Sequence, residues 1–346
     1  MMTQGEDFTE QLLGEPRVLR RRDVSRGAEV SLLSARKFWH ALGFPVVNTD
    51  EELFTEADRR ALHSVAELVR EEVLDETTAL SLTRAFARSA DRLAGWQTQL
   101  LAEAVEAEFS SKHEASEGMG PESRGVPSHE TATEAARRLA LLADRLEPLL
   151  VYSWRRHLSA TVERMLADAD PESYGLTRIR SVGFADLVNF SGLVRRMSER
   201  DLARLVQRFE ALSTDVITAH GGRLIKTVGD EVLFTTVGAA PAAATALDLV
   251  DAMAEDDLLP AVRCGMARGP IVSRLGDVFG TTVNRASRLT AVAQAGSVLV
   301  DSTLARELAT LSGFELSGQR RRILRGVGPV TPSVLRRAST GGRRPT

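Results

Sequence analysis

The sequence predicts two domains, an all-α domain over 1–166 and an α+β domain of ferredoxin-like type over 176–337. Three observations predict this division. Helical periodicity dominates the chain up to about Ala167 and then gives way to alternation. The change falls at a turn-rich stretch, ADADPESYG at 167–175, read as a linker. Beyond it the order is strand, helix, hairpin, helix, strand, which suits an α+β sandwich.

In the first half, SLLSARKFWHALGF puts Leu32, Leu33, Phe38, Trp39 and Leu42 close to one helical stripe. Thr55 reads as the N-cap of the next helix, with Glu56 and Asp58 in the first turn where the helix dipole favours anions. DETTALSLTRAFARSADRLAGWQTQLLAEAVEAEF gives one or two more helices. SSKHEASEGMGPESRGVPSHE is rich in Ser, Gly, Pro and charge and reads as a mobile loop. A helical pair follows to about Ala167, in which Pro148 either starts the second helix or kinks a single long one.

In the second half, RIRSVGFADLV alternates like a strand and GLVRRMSERDLARLVQRFEALSTDVITAH reads as two helices. RLIKTVGDEVLFTTV reads as two strands joined at Gly229-Asp230. PAAATALDLVDAMAE is helical, AVRCGMARGPIVSR strand-like, TVNRASRLTAVAQ helical and SVLVDS a strand. The basic end, 338–346, reads as a disordered, solvated tail.

The 346 residues are 43% hydrophobic and 26% charged, values that predict a packed core. A net charge of −3 argues against nucleic acid or an anionic membrane as the main partner. The single cysteine, Cys264, cannot form an internal disulfide and fits a reducing cytosol. The polar, acidic start is unlike a secretion signal, and no apolar run reaches the ~18 residues of a spanning helix. A cytoplasmic protein without a membrane span is the expectation.

Two carboxylates stand out. Asp186 ends a strand and Asp230 sits at the hairpin tip, so the two converge if their strands are neighbours. Mg²⁺ and Mn²⁺ take oxygen ligands, commonly one or two carboxylates plus substrate phosphates. After Asp186 come Asn189, Phe190, Ser191 and Gly192 at a helix start, where free N–H groups form a seat for phosphate. Either aspartate alone is ordinary turn chemistry. Lys226 lies on the strand before Asp230, and Asp277 lies in RLGDVFG. Asn284 and Arg288, at i and i+4, share a helix face.

FADLVNFSG, KTVGDEVLF and GDVFGTTVNRASRL, in this order, resemble the class III nucleotide cyclase catalytic domain over about 176–335. The resemblance implies that Asp186 and Asp230 bind two Mg²⁺ or Mn²⁺ ions. It implies that Lys226 and Asp277 read the base and that Asn284 and Arg288 serve the transition state. Arg325, in ILRGVGP, stands where the family often has a phosphate-contacting lysine. Phe190 and Ser191 belong to the substrate-binding candidates. Lysine donates and aspartate accepts, which complements N1 and N6 of adenine and not guanine, so ATP is the expected substrate. The family's site lies between two catalytic domains, and this chain carries both sets of residues, which implies a homodimer. VGDEVLF also approaches the GGDEF signature of diguanylate cyclases, but Val228 replaces the first glycine. The remaining alternative is an inactive, nucleotide-binding cyclase fold. The presence of both aspartates, Asn284 and Arg288 favours the active one.

EVSLLSARKFWHALGFP and FTEADRRAL resemble the helical regulatory domain of some actinobacterial cyclases, over roughly 10–165. That resemblance implies dimerisation, autoinhibition and, in some members, a response to pH. Histidine titrates near neutrality, and His40, His63, His113, His129 and His157 lie in this half. His40 and His157 are the first candidates, and His220, in the other half, reads as a turn residue. The apolar helices could instead enclose a lipid or other small-molecule ligand.

Overall fold

Small polar residues, Ser31 and Thr55, cap two of the helix starts in the first part of the chain. The computed structural model describes residues 4–44, 51–114, 127–168, 178–274 and 276–338. The chain divides into two compact units, Met1–Glu163 and Arg164–Thr346. The described residues of the first part form α1 (Gln4–Leu13), α2 (Arg21–Gly27), α3 (Leu32–Ala41), α4 (Glu56–Arg70), α5 (Glu76–Glu114) and α6 (His129–Asp168). Ser31 caps α3, accepting from Ser34 N at 3.1 Å. Thr55 caps α4 in a capping box, with Asp58 Oδ2 accepting from Thr55 N at 2.7 Å.

The core of this unit is Val24, Ala28, Ala35, Phe38, Trp39, Phe54 and Leu62. Trp39 packs edge-on to Phe38 and tilted against Phe54, with ring centroids about 5 Å away. The expected stripe needs correcting: Leu32 and Leu33 are exposed. Because Ser31 is the cap, they fall in the first turn, and the stripe that packs is Ala35, Phe38, Trp39 and Leu42. α5 is one helix of 39 residues and α6 one of 40, with Pro148 inside it and no break into a pair. The proline has no N–H and forfeits its own bond to the turn before. The two run antiparallel, joined by Thr131 Oγ1 donating to Glu106, the Arg138–Glu108 fork and the Phe86–Trp154 ring contact. Most of the expected mobile loop, 115–126, lies outside the described residues. Of the expected linker, 167 and 168 are helical and the rest lies outside them, as does the tail from 339. His40 and His157 are exposed, and His63 Nε2 lies 3.4 Å from Glu67.

The second unit forms β1 (Arg178–Leu187), α7 (Phe190–Val194), α8 (Glu199–Ala219), β2 (Arg223–Val228), β3 (Glu231–Thr236) and α9 (Ala239–Glu255). β4 (Val262–Arg274), β5 (Asp277–Phe279), α10 (Thr281–Val292), β6 (Val298–Val300) and α11 (Ser302–Leu308) follow. β7 (Phe314–Gly318), β8 (Arg322–Leu324), β9 (Gly328–Val330) and β10 (Ser333–Arg337) end the unit. The sheet order is β2-β3-β1-β4-β6-β10-β7, with β5 beside β4 and β8-β9 a separate ribbon. β1 pairs antiparallel with both β3 and β4, and β4 runs parallel to β6.

Alternation along β1 sorts the two faces. Ala185 and Leu187 pack in the core with α8 and α9, while Val182 and Phe184 pack with Ala286 of α10. α10 lies close on β4: a Cβ at Gly265 would come within 2.1 Å of Thr290 N, so only glycine admits the helix there. His220 is the C-cap of α8, and its Nε2 lies 2.5 Å from Asp248 Oδ2. Among the described residues no helix is long and apolar enough to cross a membrane.

Candidate active site

Period-two alternation puts Asp186 on the same face of β1 as Phe184, toward α10. Its cross-strand neighbours are Glu231 on β3 and Arg263 on β4, so the three form one row. Gly229 makes the preceding hairpin turn with φ +61°. The turn is tied to β1 by Leu187 N, which donates to Asp230 O at 3.0 Å. Asp186 and Asp230 are thereby neighbours, as the sequence expectation requires.

Electrostatics mark the spot. Burial raises the Asp186 carboxyl above its usual range, Asp230 adds to the rise, and Arg263 opposes it. Burial, then Asp186 and Asp230, push Glu231 up to about 7. A cation among these groups favours their ionised forms. Among the described residues no cluster of three or more His, Cys, Asp or Glu side chains could hold a metal. Two adjacent carboxylates alone suit Mg²⁺ or Mn²⁺ completed by water and phosphate oxygens, so the donor set fits.

Lys226 sits just past an irregularity at Leu224/Lys226 that sets it opposite Leu233. Its Nζ donates to Asp277 Oδ2 at 2.6 Å. Partial burial works to raise the Asp277 carboxyl, but the Lys226 ammonium and the Val278 N–H outweigh it and hold it below the usual range. Lys226 and Asp277, 51 positions apart, therefore form the pair expected of them. Asn284 and Arg288 both lie exposed on α10, on one face. Arg325 is exposed between β8 and β9.

Not everything is brought together. Among the described residues no hydrogen bond or ion pair joins Asn284, Arg288 or Arg325 to the aspartates or to Lys226–Asp277. The phosphate seat after Asp186 is smaller than expected. α7 has only five residues, starting at Phe190 and Ser191, and the Gly192 and Leu193 N–H groups already donate to Asn189 O. Sequence reading missed Arg263, whose Nε donates to Asp186 Oδ2 at 2.7 Å. It also missed the buried Asp301, which accepts from Arg285 Nη1, Leu304 N and Arg268 N. That carboxylate ties α10 to the start of α11.

Residues 177–336 match the adenylate and guanylate cyclase catalytic domain. An adenylate cyclase of Glutamicibacter nicotianae is 40% identical over 94% of this chain and 80% of its own length. One of Streptomyces coelicolor is 38% identical over 96% of this chain and 89% of its own. A pH-sensitive adenylate cyclase of Mycobacterium tuberculosis is 40% identical over 46% of this chain and 41% of its own. Similarity at this level runs through both units and includes the unit that holds the paired carboxylates, and the chain belongs to the adenylate cyclase family.

Proposed function

We propose that this protein converts ATP to 3′,5′-cyclic AMP and pyrophosphate, in a homodimer with two sites shared between subunits. The observation that carries the substrate is the Lys226–Asp277 pair. Its free ammonium hydrogens suit the N1 acceptor of adenine, and its carboxylate suits the N6 donor. Guanine offers the reverse pattern, which leaves both side chains facing like partners.

The reaction forms a bond from the ribose 3′-oxygen to the α-phosphorus and breaks the bond to the β-phosphate oxygen. The 3′-hydroxyl proton leaves to water. The chemistry a pair of Mg²⁺ or Mn²⁺ ions supplies when bound is acidification of that hydroxyl and neutralisation of the triphosphate. Asp186 and Asp230 would hold them. The N–H groups at Phe190 and Ser191, with Arg325, contact phosphate oxygens. Asn284 orients the ribose, and Arg288 faces the charge that grows on the α-phosphate. That Asn284 and Arg288 make no hydrogen bond or ion pair with the aspartates within one chain is compatible with completion of each site by a second copy, a two-fold arrangement.

The assay is cyclic AMP formation from ATP with Mn²⁺ or Mg²⁺, beside Asp186→Ala and Asp230→Ala. Both variants are expected to be nearly inactive; wild-type activity in either contradicts the metal assignment. The division into a regulatory domain over 1–166, a linker over 167–175 and a catalytic domain over 176–337 belongs to the same reading. In it the first unit governs assembly of the catalytic pair, and acid pH acts through its histidines to favour the active arrangement. pH–activity profiles of the full chain and of a 176–346 fragment test this. A difference is expected, and identical profiles remove the pH-sensing role.

A further inference from the structure

Four elements of the first unit meet around a cavity of about 260 Å³. It lies between the α2–α3 turn, α3, α4 and the start of α5. Leu62, Val65 and Val69 share one face of α4 and make one wall. Phe38 of α3 and Ala79 and Leu80 of α5 make the others. Phe38, Leu62 and Ala79 are buried, so the floor is apolar. The small side chains of Ala66 and Ala79 leave room that larger ones would fill. The volume is below the ~300 Å³ at which sites for drug-sized ligands begin, so a compact molecule fits.

The mouth carries both signs of charge. Arg70 Nη2 lies 3.5 Å from Glu29 Oε2, a contact longer than a hydrogen bond. Among the described residues Arg70 donates no hydrogen bond, so its guanidinium keeps its donors for a ligand. Glu76 accepts from Lys37 Nζ through Oε1 at 2.8 Å, and its Oε2 accepts from no group among the described residues. Glu29 stands in the left-handed region with φ +57°, uncommon for a residue with a side chain. Val30 N donating to Ser25 O and Ser25 Oγ donating to Val30 O hold that turn. A fixed turn therefore brings the Glu29 carboxylate to the mouth.

A simple acid entering here would match Arg70 and leave its charge facing Glu29 and Glu76. A simple amine would match the two carboxylates and face Arg70. A zwitterion satisfies all three: its carboxylate accepts from Arg70, its ammonium donates to Glu29 and Glu76, and an apolar side chain enters the cavity. We propose that this cavity is a binding site for a free amino acid with an apolar side chain. The bound amino acid ties the α2–α3 turn to α4 and the start of α5, in the unit that does not hold the paired aspartates.

The test is isothermal titration calorimetry of the full-length protein with L-leucine, L-methionine and L-phenylalanine. Saturable binding of at least one is expected. The deaminated acid and the decarboxylated amine of the one that binds, isocaproate and isoamylamine for leucine, are each expected to bind about tenfold to a hundredfold more weakly. Arg70→Gln keeps the cavity and removes the cation, and a loss of affinity in the same range is expected, with helical circular dichroism unchanged. Ala66→Leu fills the cavity and is expected to abolish binding; Arg70→Gln carries the test if that variant does not fold. Absence of saturable binding by all three amino acids overturns the proposal. So does an analogue that binds as tightly as its parent amino acid, or wild-type affinity in Arg70→Gln.

Discussion

On the proposed reading, Lys226 and Asp277 are two ordinary side chains that become a recognition device once the fold joins them. Each is partly exposed, and at 2.6 Å each satisfies the other. A base that enters must match both partners or leave a charged group unpaired, a loss of about 1.5–3 kcal/mol. Lys226→Ala is expected to lower kcat/KM for ATP by roughly tenfold to a hundredfold and to shrink the preference for ATP over GTP. Steady-state assays with both nucleotides check this. The pair was legible in the sequence because each residue sits in its own motif. Arg263 was not, because its relation to Asp186 is a cross-strand register across 77 positions, and no local pattern encodes that.

At the scale of elements, α10 matters most, because it carries Asn284 and Arg288 on one exposed face. Its placement depends on glycine at position 265 and on Asp301, which is fully buried and paired with Arg285 at 2.8 Å. Asp301→Ala leaves the Arg285 guanidinium and two backbone N–H groups without their acceptor and removes the N-cap of α11. The expected cost is about 3 kcal/mol, read by chemical denaturation, with kcat lowered at temperatures where the protein stays folded. Unchanged stability contradicts this account of the helix. The strands and helices from Arg178 to Val300, the three-residue β5 excepted, were legible because turns and alternation punctuate them. The first unit was less so. Leu32 and Leu33 fit the apolar pattern but fall in the first turn, outside the buried stripe. The length of α5 and the continuity of α6 through Pro148 also exceed what local signals specify.

At the scale of the whole molecule, the proposed reaction needs two copies of the chain. One chain brings Asp186 beside Asp230 and Lys226 beside Asp277, while Asn284 and Arg288 lie exposed on α10 with no hydrogen bond or ion pair to either pair. In the proposed homodimer a two-fold pair of chains makes two sites, each taking its aspartates from one subunit and its Asn284 and Arg288 from the other. Asp186→Ala and Arg288→Ala therefore damage opposite halves. The most direct measurement mixes these two inactive full-length variants, allows subunits to exchange, and assays cyclic AMP. Random pairing puts half of the dimers in the mixed form with one intact site of two, so recovery of about a quarter of wild-type activity is expected. No recovery, with exchange verified by differently tagged subunits, would contradict the shared site.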